Sequence, residues 1–244
     1  MKKIINLLLL LTIPIISFTQ EKVTWDFPVK SDTEEWKTTR GSANRISKCQ
    51  IPENILKTLS TRDLLDICLK YPLLIDVFAF NDIDVGFEKY ENDFNGFREL
   101  LTRPDAIDYL FQKYDAIDAS KFPKEKGFME KGDFIYQLSF IELFISHAQI
   151  LSKTNKTDRR KFVQKLVSQL EIKESKRNWY VHMMKQTTSR AITRYIENES
   201  SEFSPNYNKL RVKNYTKFGI PDPEQNVVNE IINSAKAYLK ASNK

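Results

Sequence analysis

Apolar residues recur at helical spacing from residue 52 almost to the C-terminus. Ser60-Thr61-Arg62-Asp63 reads as a capping box with Asp in place of Glu, leading into Leu64, Leu65, Ile67, Cys68 and Leu69. Tyr71-Pro72 ends that helix, because the residue before proline avoids the α region. Leu73 to Phe80 is apolar enough to be a buried helix. Phe87, Tyr90 and Phe94 carry the next stripe, Asn95-Gly96 marks a turn or cap, and Phe97, Leu100 and Leu101 follow. Pro104 opens a helix with the stripe Ile107, Leu110, Phe111 and Tyr114. Asp133 caps a segment running to about Lys153, apolar on nearly all sides from Leu138 to Leu151, which predicts a central helix. Gln137, Glu142, His147 and Gln149 argue against a membrane span there. Thr157-Asp158 starts a helix with Phe162, Val163, Leu166, Val167 and Leu170 on one face. A helix follows over about 178–198, with Met184, Thr188, Ala191 and Tyr195 on one side. Pro221-Asp222-Pro223-Glu224 launches the last helix, and residues 200–221 read as a loop. No segment sustains period-two alternation. The pattern predicts an all-α fold, a helical bundle or short HEAT-like superhelix.

The first residues break this pattern. Lys2 and Lys3 precede an apolar run, Ile4 to Ile16, and Ser17 and Thr19 fit the −3 and −1 positions of a cut before Gln20. Residues 1–19 therefore read as a signal peptide, too short to span a bilayer as a helix. The expected location after cleavage near Thr19 is secreted, periplasmic or extracellular. Residues 20–48 are polar, with Trp25, Phe27 and Trp36 among charges, and Pro28 and Gly41 discourage a long helix. They predict an extended arm whose aromatics dock on the body. Phe122 to Gly132 is a lysine-rich connector and a candidate hinge. It divides an acidic helical subdomain, 49–121, from a basic one, 122–244, unless 49–244 is one continuous domain. Thr61-Arg62-Asp63 and Thr102-Arg103-Pro104-Asp105 form a faint echo, which shared helix-start chemistry explains.

Export changes the meaning of the two cysteines. Cys49 and Cys68 become a candidate disulfide, worth roughly 3 kcal/mol for a loop of about 20 residues. Two cysteines and two histidines in 244 residues rule out four-cysteine metal sites and His-rich ones. There is no G-x-G, no G-x-S-x-G and no H-E-x-x-H. Asn81-Asp82-Ile83-Asp84-Val85-Gly86 departs from calcium-loop spacing, and its acids read as caps. His147 and His182 have no acid at helical spacing and read as core or groove histidines. Glu142 is the buried-looking carboxylate, with a Lys or Tyr on a facing helix as its expected partner. No cofactor and no metal is predicted, and no catalytic residue is assigned.

Charge is the sharper signal. Residues 20–150 carry 17 Lys and Arg against 23 Asp and Glu, whereas residues 151–244 carry 19 against 9. Arg159, Arg160, Lys161, Lys165, Arg177, Arg190 and Arg194 are the candidate binding residues of the basic stretch. Such a stretch suits an anionic envelope surface, a protein partner, or the acidic half of the same molecule. Intracellular nucleic acid does not suit an exported chain.

The runs Thr33-Glu34-Glu35-Trp36, Cys49-Gln50-Ile51-Pro52-Glu53, Tyr71-Pro72-Leu73, Ala79-Phe80, Gly86-Phe87 and Phe94-Asn95-Gly96 followed by Glu99-Leu100-Leu101 form a pattern over about residues 25–115. In it the chain resembles a group of uncharacterised exported bacterial proteins. The resemblance implies export and a helical body, and implies no activity. The leading expectation is a non-enzymatic binding or interaction protein of the cell envelope or exterior. A polysaccharide- or wall-directed hydrolase using paired carboxylates is the alternative, and an anionic membrane-surface protein using the 153–194 basic stretch is the third.

Overall fold

The computed structural model describes residues 25–31, 33–180, 182–198, 204–222 and 226–241. The leader, the Pro223-Glu224 helix start and the His182 side chain lie outside them. The helices are α1 (Glu34–Thr38), α2 (Ser42–Lys48), α3 (Glu53–Leu56), α4 (Thr61–Cys68), α5 (Ile83–Asp93), α6 (Asn95–Thr102) and α7 (Ala106–Asp115). They continue with α8 (Phe128–Ile145), α9 (Ala148–Lys153), α10 (Lys156–Ser175), α11 (His182–Glu197), α12 (Lys209–Phe218) and α13 (Val227–Ala241). Short 3-10 helices span Leu74–Ala79 and Ala119–Lys121. The described residues contain no strand, and the fold is all-α.

Local chemistry sets the boundaries. Ser60 caps α4 by accepting from the Asp63 N–H at 3.1 Å, as the capping box predicts. Asn155, one turn before the expected Asp158, caps α10 by accepting from the Asp158 N–H at 2.9 Å. Gly86 lets α5 press against the preceding 3-10 helix, since a Cβ there would meet the Val77 carbonyl oxygen at 2.5 Å.

Three expectations need correction. The arm is extended only over its described start, and α1 and α2 then fold, Gly41 at φ +83° beginning α2. Its aromatics do dock: Phe27 is buried, and half-buried Trp25 meets it edge-on at 4.5 Å. The central segment is two helices. α8 starts five residues before Asp133 and ends where the Ser146 hydroxyl bonds the Glu142 carbonyl, and His147 then caps α9. The loop read over 200–221 contains α12, capped by Asn208 and closed by Gly219 at φ +62°.

α10, α11 and α13 pack on one another, and α8 packs on α7 and α11. One hydrophobic cluster runs from Phe27 to Tyr238 and includes both the acidic and the basic stretches. The two echoed segments touch rather than repeat: Thr61 donates to Asp105 at 2.8 Å, and Arg103 reaches the Leu59 carbonyl at 2.7 Å and the Leu56 carbonyl at 3.1 Å.

Candidate functional site

Three helices line one cavity of about 330 Å³, and two of them bring cationic side chains to it. α11 contributes Arg190 and Arg194, four residues apart and so on one face. α12 contributes Lys209, Val212, Lys213, Thr216 and Lys217, a stripe at i, i+3, i+4, i+7 and i+8. The first turn of α5 contributes Asp84, beside the cap residue Asp82, whose carboxylate accepts from the Asp84 N–H at 2.9 Å.

Asp84 is held between two guanidiniums. Arg190 Nε donates to its Oδ1 at 2.8 Å, and Arg194 Nη2 donates to Oδ2 at 2.7 Å. Arg190 also donates to the Ser146 hydroxyl and Arg194 to the Ser146 carbonyl at 3.1 Å, which ties the clamp to the end of α8. Burial works to raise the Asp84 pKa, but the Arg190 and Arg194 charges outweigh it and hold the carboxyl below its ordinary value. Burial and the neighbouring Arg194 charge push Arg190 down to about 10, against the pull of Asp84. Lys217 pairs with Asp82 at 3.0 Å, and Glu197 accepts from the Tyr207 hydroxyl at 2.6 Å.

Lys209 and Lys213 are different. Both are exposed on the cavity wall, and neither has an acidic partner among the described residues. Five cationic side chains line the cavity against Asp84 and Glu197, and counting Asp82 leaves a local excess of two positive charges. The lining hydroxyls turn inward on their own helices: Thr193 donates to the Arg190 carbonyl at 3.0 Å and Thr216 to the Val212 carbonyl at 2.8 Å. The cavity thus carries a net positive charge, with Lys209 and Lys213 left to face solvent.

Of the seven predicted binding residues, the structure brings only Arg190 and Arg194 together here. Arg159 donates to the Thr154 carbonyl at 3.3 Å, and Arg160 donates to the Leu239 carbonyl at 2.6 Å, docking α10 on α13. Lys161 pairs with Asp158 at 3.1 Å and Lys165 with Asp115 at 2.9 Å, and Arg177 pairs with Glu174. Acids are interleaved with these five cations.

The buried carboxylate has the partners its position predicts. Glu142 accepts from Lys173 at 3.0 Å, Tyr114 at 2.9 Å, Thr187 at 2.6 Å and Thr188 at 2.8 Å, in a site closed to solvent. His147 Nδ1 accepts from the Gln149 N–H at 3.4 Å as the cap of α9, which leaves Nε2–H to face Glu91 at 3.0 Å. The expected Cys49–Cys68 disulfide is absent. Both are free, buried thiols: Cys49 lies against the Val29 carbonyl at 4.0 Å, and Cys68 closes α4 inside the core. The described residues hold no group of three or more His, Cys, Asp or Glu able to bind a metal.

Comparison with protein families, curated proteins and solved structures finds no match for this chain.

Proposed function

We propose that this is an exported, non-enzymatic binding protein of the cell envelope or exterior, and that it takes an anionic group of its ligand in the cavity between α5, α11 and α12. The observation that carries this reading is the pair Lys209 and Lys213, solvent-facing cations without acidic partners beside the Arg190–Arg194 clamp. Export rests on the leader pattern of residues 1–19.

At Asp84 and Glu142 the state of the carboxylate favours binding over hydrolysis. A wall-directed hydrolase needs a protonated carboxylic acid facing an open cleft. Asp84 is held ionised by two arginines, and Glu142 is saturated with donors and sealed.

The test is calorimetric titration of the chain from Gln20 onward with inorganic phosphate, sulfate and citrate at low ionic strength. The expected result is saturable binding of at least one, weakened by salt. Binding is lost on changing Lys209→Glu with Lys213→Glu and kept in Lys161→Glu. Equal binding by all three proteins, or none by the unaltered chain, overturns the reading.

A further inference from the structure

The start of α8 is exposed. Residues 124–130 are seven consecutive exposed positions, and within them Phe128 is 88% and Met129 74% exposed. The far end of the same helix, Leu138 to Ile145, is wholly buried. Folding leaves two adjacent large apolar side chains in water while their own helix runs into the core.

Their surroundings say what fits. Lys121, Lys124, Lys126 and Lys131 belong to the same segment. The loop after α10 lies beside it: Phe122 stacks on half-buried Trp179 at 5.8 Å, and Lys176 lies over the Trp179 ring at 4.3 Å. Lys176 also donates to the Ser120 carbonyl at 3.1 Å, fastening the two loops together. Lys121, Lys124, Lys126, Lys131 and Lys176 exceed the acids of the same stretch, Asp118, Glu125, Glu130 and Asp133, by one. Asp118 accepts from the Ser120 N–H at 2.8 Å, Glu125 lies 3.6 Å from Lys124, and Glu130 folds back to the helix start, 2.8 Å from where a Gly127 Cβ would stand.

We infer that this end of the molecule docks on an anionic phospholipid bilayer. Phe128 and Met129 enter the boundary between headgroups and acyl chains, Trp179 sits at headgroup depth, and the lysines meet lipid phosphates. Lysine suits that place, because its stem covers apolar surface while the ammonium stays in the polar layer. A bilayer fits better than a folded partner: two exposed side chains fall far short of the ~800 Å² per partner of a stable protein interface, and fluid lipid needs no matching groove. This surface is separate from the α5–α11–α12 cavity.

The experiment is co-sedimentation of the chain from Gln20 onward with vesicles of phosphatidylglycerol and phosphatidylcholine, and of phosphatidylcholine alone, across a salt series. Binding is expected to the anionic vesicles, falling as salt rises. The double change Phe128→Ser with Met129→Ser is expected to weaken it about tenfold or more. Circular dichroism should be unchanged, since neither side chain packs in the core. A protein that stays in the supernatant with anionic vesicles at low salt overturns the inference. So does a double variant that binds as well as the unaltered chain. Self-association that depends on Phe128, without vesicle binding, assigns this end to a second copy and overturns it equally.

Discussion

Glu142 and Lys173 lie 3.0 Å apart with no solvent reaching either side chain. Tyr114, Thr187 and Thr188 also donate to the carboxylate, and Lys173 donates further to the Met184 carbonyl at 3.0 Å. Burial lowers the Lys173 pKa, and Glu142 opposes the shift. Such a network joins α7, α8, α10 and α11, but its net worth against an apolar core is small, whereas removing one partner strands the other charge. Lys173→Met is therefore expected to destabilise by about 3–5 kcal/mol in urea denaturation. Lys173→Met with Glu142→Leu should cost less than the sum of the two single changes. A single change costing under about 1 kcal/mol would show that the pair is not a buried charge pair.

Cys49 and Cys68 pack as small hydrophobes, and burial pushes the Cys49 thiol up to about 11 and raises that of Cys68. Both should resist a thiol reagent in the folded protein and react in denaturant without prior reduction. The melting temperature should be insensitive to reductant. No reactive thiol in unreduced denatured protein, with melting lowered by reductant, would restore the bridge.

How far these features were legible follows from where each signal resides. The stripe Phe162, Val163, Leu166, Val167 and Leu170 predicts α10 because every member points inward, and all five are buried. Glu142 is legible because a carboxylate stands in an apolar run. α12 is not. Its inward side offers only Val212, Tyr215 and Thr216 between lysines and asparagines, and a ten-residue helix of that kind is held by packing on α11 and α13 rather than by its own propensity. The cues were present, Asn208 as cap and Gly219 as stop, but they sit among other turn-forming residues. Reading 200–221 as loop hides Lys209, Lys213 and Lys217, and with them half of the cavity lining. Asp84 and Arg190 are 106 residues apart, so no local spacing records their contact. The segregation of charge did carry information: Asp82 and Asp84 of the acidic stretch meet Lys217, Arg190 and Arg194 of the basic one.

Arg103 fastens α6 to α3 from a distance. It is 14% exposed, pairs with Glu99 at 3.0 Å and satisfies two carbonyls around the end of α3. A lysine cannot reproduce that fork. Arg103→Lys is expected to destabilise by about 1.5–3 kcal/mol, as loss of charged hydrogen bonds to buried carbonyls implies. Loss of α3 protection in amide exchange should accompany it. Unchanged exchange at the Leu56 and Leu59 amides, which bond the Pro52 and Ile55 carbonyls, would remove Arg103 from this role.

His147 makes stability sensitive to acid. Burial, then the Arg190 and Arg194 charges, lower its pKa from 6.5 to about 4, against the pull of Asp84. Between those values the unfolded chain binds a proton that the folded chain refuses, so stability is full above pH 6.5 and falls as pH drops toward 4. Glu91, facing Nε2, works in the opposite sense: burial and Glu88 raise its pKa, so its folded form takes up a proton sooner than its unfolded form. Asp84, held low by its arginines, loses its contribution only at more acid pH than the histidine does. The histidine therefore lowers stability as pH falls through the upper part of the window. His147→Asn removes the titration and keeps the α9 cap, since asparagine is a strong N-cap. Urea denaturation from about pH 7 to about pH 4 should give a flatter profile for His147→Asn than for the unaltered protein. Parallel profiles would move the acid sensitivity to the carboxylates.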